Sequence, residues 1–225
     1  MPTAPPLRTA LLAGATGLIG RELLALLGAD PAYGKIHVWQ RRQSSAGALP
    51  ASAKVTFHTV DFAHPPPAPK PLDDVYIALG TTIKVAGSQA AFRAVDHDYV
   101  IAAASTARAA GATRLAVVSA LGADAKSGIF YNRVKGEMQQ AIAQLGFESV
   151  VIAQPSLLIG DRAVLGQPVR SGEVWAVRLL GPLIGLVPSS VRPIAASAVA
   201  TAMLAAMAQA RPGVRLLPSS EMQPR

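Results

Sequence analysis

The 225-residue sequence contains no cysteine. That excludes disulfides, thiolate metal sites and a cysteine nucleophile, and leaves the redox compartment open. Charge is sparse, at 15% of residues, and lopsided: 21 Lys and Arg against 13 Asp and Glu give a net +8, so the surface attracts anions. The basic residues are scattered, with no run longer than Arg41-Arg42, and eleven dispersed aromatics form no base-stacking platform. A small anionic molecule is therefore expected as partner, and nucleic acid is not. Long hydrophobic runs are also missing. The best membrane candidate, Ile194 to Ala210, is uncharged but short and mostly alanine, which predicts a buried helix and no membrane association. The apolar stretch after Arg8 ends in a glycine-rich turn instead of a cleavage site, so no targeting segment is expected and the location expected is the cytoplasm. His37, His58, His64 and His97 lack metal-ligand spacing, so no metal is expected.

What is present is apolar: 51% of residues, enough for a sizeable core in one domain spanning residues 1–225. Short apolar runs at Ala10–Ala13, Ile36–Trp39, Val55–Val60, Val75–Leu79, Leu115–Val118, Val150–Ala153 and Val214–Leu217 read as strands. Helical stretches fall between them at Leu18–Leu27, Gln89–Ala110 and Tyr131–Leu145, with Gly111 and Gly146 placed as C-terminal caps, and an alanine-rich helix precedes the last strand. Strands alternating with longer helices predict βαβ units and an α/β fold, a doubly wound parallel sheet of the Rossmann type. Residues 156–194 are irregular and rich in Gly and Pro, and read as an insertion covering the substrate side.

The turn from the first strand into the first helix carries glycines at i, i+3 and i+6: Gly14, Gly17 and Gly20, with Thr16, Leu18 and Ile19 between them. Glycine there lets the backbone approach a pyrophosphate, and the helix N-terminus offers it free N–H groups and a positive dipole end. The loop lacks the Gly-Lys-Ser/Thr ending of a mononucleotide-binding loop, which disfavours kinase or ATPase chemistry. About 20 residues on, a dinucleotide fold that takes NAD carries an acid for the ribose 2′-hydroxyl. Here the chain reads Gln40-Arg41-Arg42. Guanidinium groups grip a 2′-phosphate that a carboxylate would repel, so the expected cofactor is NADP(H), although an arginine pair is also common as plain solvated surface. Asp61, just past the third strand, is expected near the adenine together with Phe62.

Ser119 ends the fifth strand, Tyr131 follows twelve residues later, and Lys135 lies four further along one helical face. A lysine ammonium beside a phenol favours the phenolate, which suits Tyr131 to proton exchange with a carbonyl oxygen while Ser119 holds that oxygen by a hydrogen bond. Ser119, Tyr131 and Lys135 are the candidate catalytic residues.

These features, with the strings Leu79-Gly80-Thr81-Thr82, Val95-Asp96-His97-Asp98-Tyr99-Val100, Ser119-Ala120-Leu121-Gly122-Ala123-Asp124 and Arg133-Val134-Lys135-Gly136-Glu137, resemble the short-chain dehydrogenase/reductase superfamily. Within it the chain is similar to the atypical NADP-binding group related to the human Tat-interacting protein, from about Ala10 to Arg178. The resemblance implies that Leu79, Gly80 and Thr81 back the adenosine and nicotinamide ribose, that Tyr131 and Lys135 border the cofactor, and that Pro155 and Ser156 touch its nicotinamide side. Gln154 departs from the pattern, since related sequences often carry Arg before that proline. Two functions follow from the resemblance: an NADP(H)-dependent oxidoreductase acting on a small carbonyl or alcohol, or an NADPH-binding regulator or scaffold without significant turnover. A monomer or homodimer is expected.

Overall fold

The computed structural model describes residues 6–42, 49, 52–159 and 188–224. Seven strands form one parallel sheet: β1 (Arg8–Ala13), β2 (Tyr33–Gln40), β3 (Val55–Thr59), β4 (Asp74–Ile77), β5 (Arg114–Val118), β6 (Ser149–Gln154) and, after a small parallel pair β7 (Leu158–Ile159) and β8 (Ile194–Ala195), β9 (Gly213–Pro218). The order is β3-β2-β1-β4-β5-β6-β9. The direction in which successive strands are added reverses between β1 and β4, which lie side by side with Ala13 opposite Ile77. That is the switch point at which open α/β sheets form their ligand crevice.

Period-two alternation sorts the strand residues between two cores. Ala10, Leu12, Tyr76, Ala116, Val151 and Ala153 face one side, where Leu23, Leu24 and Leu27 of α1 (Leu18–Ala29) meet Val199, Met203 and Met207 of a later helix, Ala196–Ala208. Leu11, Ala13, Val75, Ile77, Leu115, Val117, Val150 and Ile152 face the other, against Val100, Ala103, Ala107, Met138 and Ile142. Because the inner strands β2, β1, β4, β5 and β6 are largely buried on both faces, they read in sequence as near-continuous apolar runs, whereas the edge strands β3 and β9 are mostly half-buried or exposed. The alanine-rich 196–208 helix is buried as expected, and among the described residues no helix is long and apolar enough to cross a membrane. The irregular 156–194 stretch begins and ends at the β7–β8 pair; residues 160–187 lie outside the described residues.

Two elements depart from expectation. β4 stops at Ile77 instead of Leu79, because the Ala78 amide makes its bond to the Ala13 carbonyl at 2.8 Å and the chain then passes over Gly14. It continues into α2 (Ile83–Ala86), capped by Thr82 Oγ1, which accepts from the Val85 amide at 3.1 Å. The helix expected over Gln89–Ala110 is not uniform. It comprises α3 (Gln89–Arg93), a π-helical turn over Ala94–Asp98, and α4 (Tyr99–Ala109). The wider turn carries Asp96 into the interior, where it is 1% exposed. Single π turns inside helices concentrate at functional sites.

At the amino ends of the strands, polar groups pair with one another, and Arg8 Nε is buried without a hydrogen-bond partner. The Asp74 carboxylate, fully buried, pairs with Arg8, accepts from Arg114 Nε at 2.8 Å and from the Tyr33 hydroxyl at 2.5 Å, and Tyr33 in turn bonds Tyr76 at 2.8 Å. Burial pushes both phenols above their ordinary range. On β2 and β3, His37 Nδ1 and His58 Nε2 share a hydrogen bond at 2.9 Å.

Candidate functional site

The crevice is built from the loops that leave the carboxyl ends of β1, β4, β5 and β6. In the first, the three glycines have different reasons to be glycine. Gly14 has φ +93°, and a Cβ there would lie 2.6 Å from the Ala78 carbonyl group; a Cβ at Gly20 would lie 2.0 Å from the Gly14 oxygen. Both are required by the fold itself, since the loop, helix α1 and the end of β4 meet there without room for a side chain. Gly17 differs. Its φ of −82° suits any residue, and a Cβ would meet only Gly14 O at 3.5 Å and Ala78 O at 3.9 Å, ordinary contacts. Among the described residues, none would clash with a side chain at this position.

Gly17 is the N-cap of α1, no side chain caps the helix, and no acid occupies its first turn. Its leading amides and positive dipole end are therefore available to an anion, which fits a pyrophosphate. Thr16 is exposed beside it, while Ile19 is 5% exposed in the core and has only its backbone to offer; Leu18 is half-buried. Arg41 and Arg42 follow the end of β2 and are exposed. The Val60 amide donates to the Gln40 carbonyl at 2.9 Å, so the segments carrying Asp61 and the arginines run side by side. Asp61 is exposed; the Ala63 amide and then His64 hold its carboxyl below the ordinary range. The Phe62 side chain packs into the core between Trp39 and Tyr99, so only its backbone borders the crevice.

The β4 loop supplies Leu79, half-buried, and Gly80, exposed; the Thr81 amide donates to Asp96 Oδ2 at 2.8 Å. Opposite it lies α5 (Phe130–Ala143). Tyr131, Lys135 and Gln139 share one face at four-residue spacing. The Tyr131 ring lies 5.4 Å from that of buried Phe92. Lys135 Nζ lies 2.8 Å from Asp96 Oδ1, with both side chains under 5% exposed. Gln139 Nε2 donates to Ser119 Oγ at 2.6 Å, and Gln154 Nε2 donates to Gln139 Oε1 at 3.3 Å. Because Ser119 Oγ accepts from Gln139, its own hydrogen is free to donate. Gly136 allows the β5–α5 loop to lie on the helix, since a Cβ there would be 2.0 Å from the Ala125 nitrogen.

Ser119 directly follows β5, and Tyr131 and Lys135 lie on α5. Pro155 is buried, and its carbonyl accepts from the Leu121 amide at 2.9 Å, tying the two loops together. The Ser156 hydroxyl donates to the Arg192 carbonyl and accepts from Ser219 Oγ at 2.9 Å. Asp96 and Gln139 were missed from the sequence as polar partners of the site. Gln139 has a legible signal, since it continues the Tyr131–Lys135 spacing. Asp96 has none, because an unbroken helix with His97 at its surface gives no reason to turn that carboxylate inward.

Residues 14–156 match a family model described as NAD(P)H-binding. The chain is 36% identical over 186 residues to the mitochondrial protein fmp52 of Emericella nidulans, covering 80% of this chain and 78% of the relative. It is 30% identical over 222 residues to mitochondrial FMP52 of Chaetomium globosum, covering 94% of each. These relatives overturn the cytoplasmic location expected from the sequence, since their names place them in mitochondria. Among solved structures, the Bordetella bronchiseptica enzyme WbmG, in complex with NAD and UDP, shares the fold with a TM-score of 0.66 at 16% identity, covering 96% of this chain and 74% of that one. With a Rossmann-type sheet, a glycine loop open at Gly17 and a family match over most of its length, the chain belongs to the NAD(P)H-binding family.

Proposed function

We propose that the chain is an NADP(H)-dependent oxidoreductase of the short-chain dehydrogenase/reductase type, in the atypical group its sequence resembles, acting on a small carbonyl or alcohol. The observation that carries this reading is the α5 face, where Tyr131 and Lys135 stand one turn apart and Gln139 holds the Ser119 hydroxyl with its hydrogen free. Exposed Arg41 and Arg42 beyond β2 support a 2′-phosphate over a bare hydroxyl. The bound cofactor supplies or accepts the hydride. The chain's residues manage the proton: the Tyr131 hydroxyl delivers it to the carbonyl oxygen, the Ser119 hydroxyl donates a second hydrogen bond to that oxygen, and the Lys135 ammonium stabilises the phenolate left behind.

The test is Tyr131→Phe assayed by NADPH oxidation across a panel of aldehydes and ketones. Turnover should fall by about 10²–10⁴-fold, the usual loss for a general acid, with cofactor affinity retained. Undiminished turnover would contradict the mechanism. A wild-type protein that binds NADPH yet reduces no carbonyl would favour a regulatory role.

A further inference from the structure

The proposed proton transfer needs the Ser119 hydroxyl to donate, and its neighbours decide whether it can. A serine hydroxyl carries one hydrogen and two lone pairs, and without a fixed partner it rotates between donating and accepting. Ser119, directly after β5, is 4% exposed, and its Oγ accepts from Gln139 Nε2 of α5 at 2.6 Å. The oxygen of that amide is engaged as well: Gln139 Oε1 accepts from Nε2 of Gln154, the last residue of β6, at 3.3 Å. With its oxygen taken by Gln154, the Gln139 amide presents its nitrogen to the serine. Three side chains, from the end of β5, from α5 and from β6, thus form a chain of hydrogen bonds that runs one way, from Gln154 through Gln139 to Ser119. Nothing in the proton transfer itself calls for Gln154.

We infer that Gln139 and Gln154 are positioning residues that act through Ser119, fixing its hydroxyl as a donor to the carbonyl oxygen of the substrate. The relay carries no charge, and each bond polarises the next, so the serine hydrogen is offered where negative charge develops. The inference rests on the reading of the crevice as a carbonyl-reducing site. It makes polarity the property that matters at Gln139. Glutamate has the same size, but when ionised it only accepts, so Gln139→Glu would draw the serine hydrogen to itself and leave the substrate oxygen without it.

The experiment measures single-turnover NADPH oxidation with the aldehyde or ketone that the wild type reduces fastest, and NADPH affinity by fluorescence titration. The variants are Ser119→Ala, Gln139→Glu, Gln139→Met and Gln154→Met, each glutamine change also made in the Ser119→Ala background, with the exposed Gln140→Met as control. Ser119→Ala should slow oxidation by about 10²–10³-fold, the scale of losing one donor to a developing oxyanion. Gln139→Glu should approach that loss. Gln139→Met and Gln154→Met should each cost about three- to ten-fold, the scale of one neutral hydrogen bond. NADPH affinity should stay at the wild-type value throughout, Gln140→Met should change nothing, and without the Ser119 hydroxyl the glutamine changes should cost almost nothing further. Should Gln139→Glu fail to fold, Gln139→Met in the two backgrounds decides by itself. A wild-type rate in any of the three glutamine variants, weakened NADPH, or losses that persist in full in Ser119→Ala would overturn the inference and leave the reductase reading intact. A wild type that reduces no carbonyl contradicts that reading and the inference with it.

Discussion

The two ends of the sheet use polar groups in opposite ways. At the amino ends, Asp74 is enclosed by Arg8, Arg114 and Tyr33, and Tyr33 is bonded onward to Tyr76. The groups are shielded and paired with one another, with Arg8 Nε buried and lacking any hydrogen-bond partner. At the carboxyl ends, bonding capacity is left over: α1 begins without a side-chain cap, Ser119 accepts without needing to donate, Arg41 and Arg42 stand exposed, and Gly17 keeps a gap that the fold does not need. One end is organised for stability and the other for a ligand, the division seen generally in open α/β sheets.

The largest expected effect falls on the closed end. Asp74→Asn leaves two guanidinium groups facing a neutral amide, and chemical denaturation should show a loss of about 3–5 kcal/mol, the scale for breaking a buried ion pair. NADPH affinity of the folded protein should hardly change. A large loss of affinity at full stability would erase the distinction between the two ends.

The glycine loop sharpens the comparison inside the open end. Gly14→Ala must adopt a positive φ and collide with the Ala78 carbonyl, so it should damage the fold. Gly17→Ala has room in the chain and should fold with only the modest cost of a poorer N-cap, of order 1 kcal/mol. Its Cβ occupies the approach to the loop, so NADPH binding measured by titration should weaken by about ten-fold or more, for each contact group held away. Retained affinity in a folded Gly17→Ala protein would move the pyrophosphate elsewhere.

A separate, pH-dependent effect concerns the β2–β3 pair. Burial, then the neighbouring His58 and Lys35, pushes His37 from the ordinary 6.5 down to about 4. The unfolded chain therefore binds more protons than the folded one between about pH 6.5 and 4, so stability falls as pH drops through that window and levels off below it. Denaturation midpoints of His37→Gln should show a shallower decline over the same range than the wild type. An identical slope would remove His37 as its source.

Most of the sheet was legible because burial on both faces writes each inner strand as an apolar run, and Gly111 and Gly146 take the positive φ expected of helix ends. The glycine loop and the Tyr131–Lys135 spacing are local patterns and survive intact. Relations between distant segments were not legible. The π turn at Ala94–Asp98 shifts helical phase without any breaker residue, so the inward turn of Asp96 depends on Lys135, 39 residues away, and on the Thr81 amide. The bonds of Ser156 to Arg192 and Ser219 likewise depend on segments far along the chain. Gly14, Gly17 and Gly20 looked equivalent in sequence; only the approach of the β4 loop separates the two that serve packing from the one that does not.

The central claim, an NADP(H) site selected by the arginine pair, is tested most directly by calorimetric titration of the wild type with NADPH and NADH under identical conditions. The account predicts that NADPH binds tighter by roughly ten- to a hundred-fold, from charge-assisted hydrogen bonds to the 2′-phosphate. It also predicts that replacing Arg41 and Arg42 by Ala narrows the gap by weakening NADPH alone. Equal affinities for the two nucleotides in the wild type would contradict it.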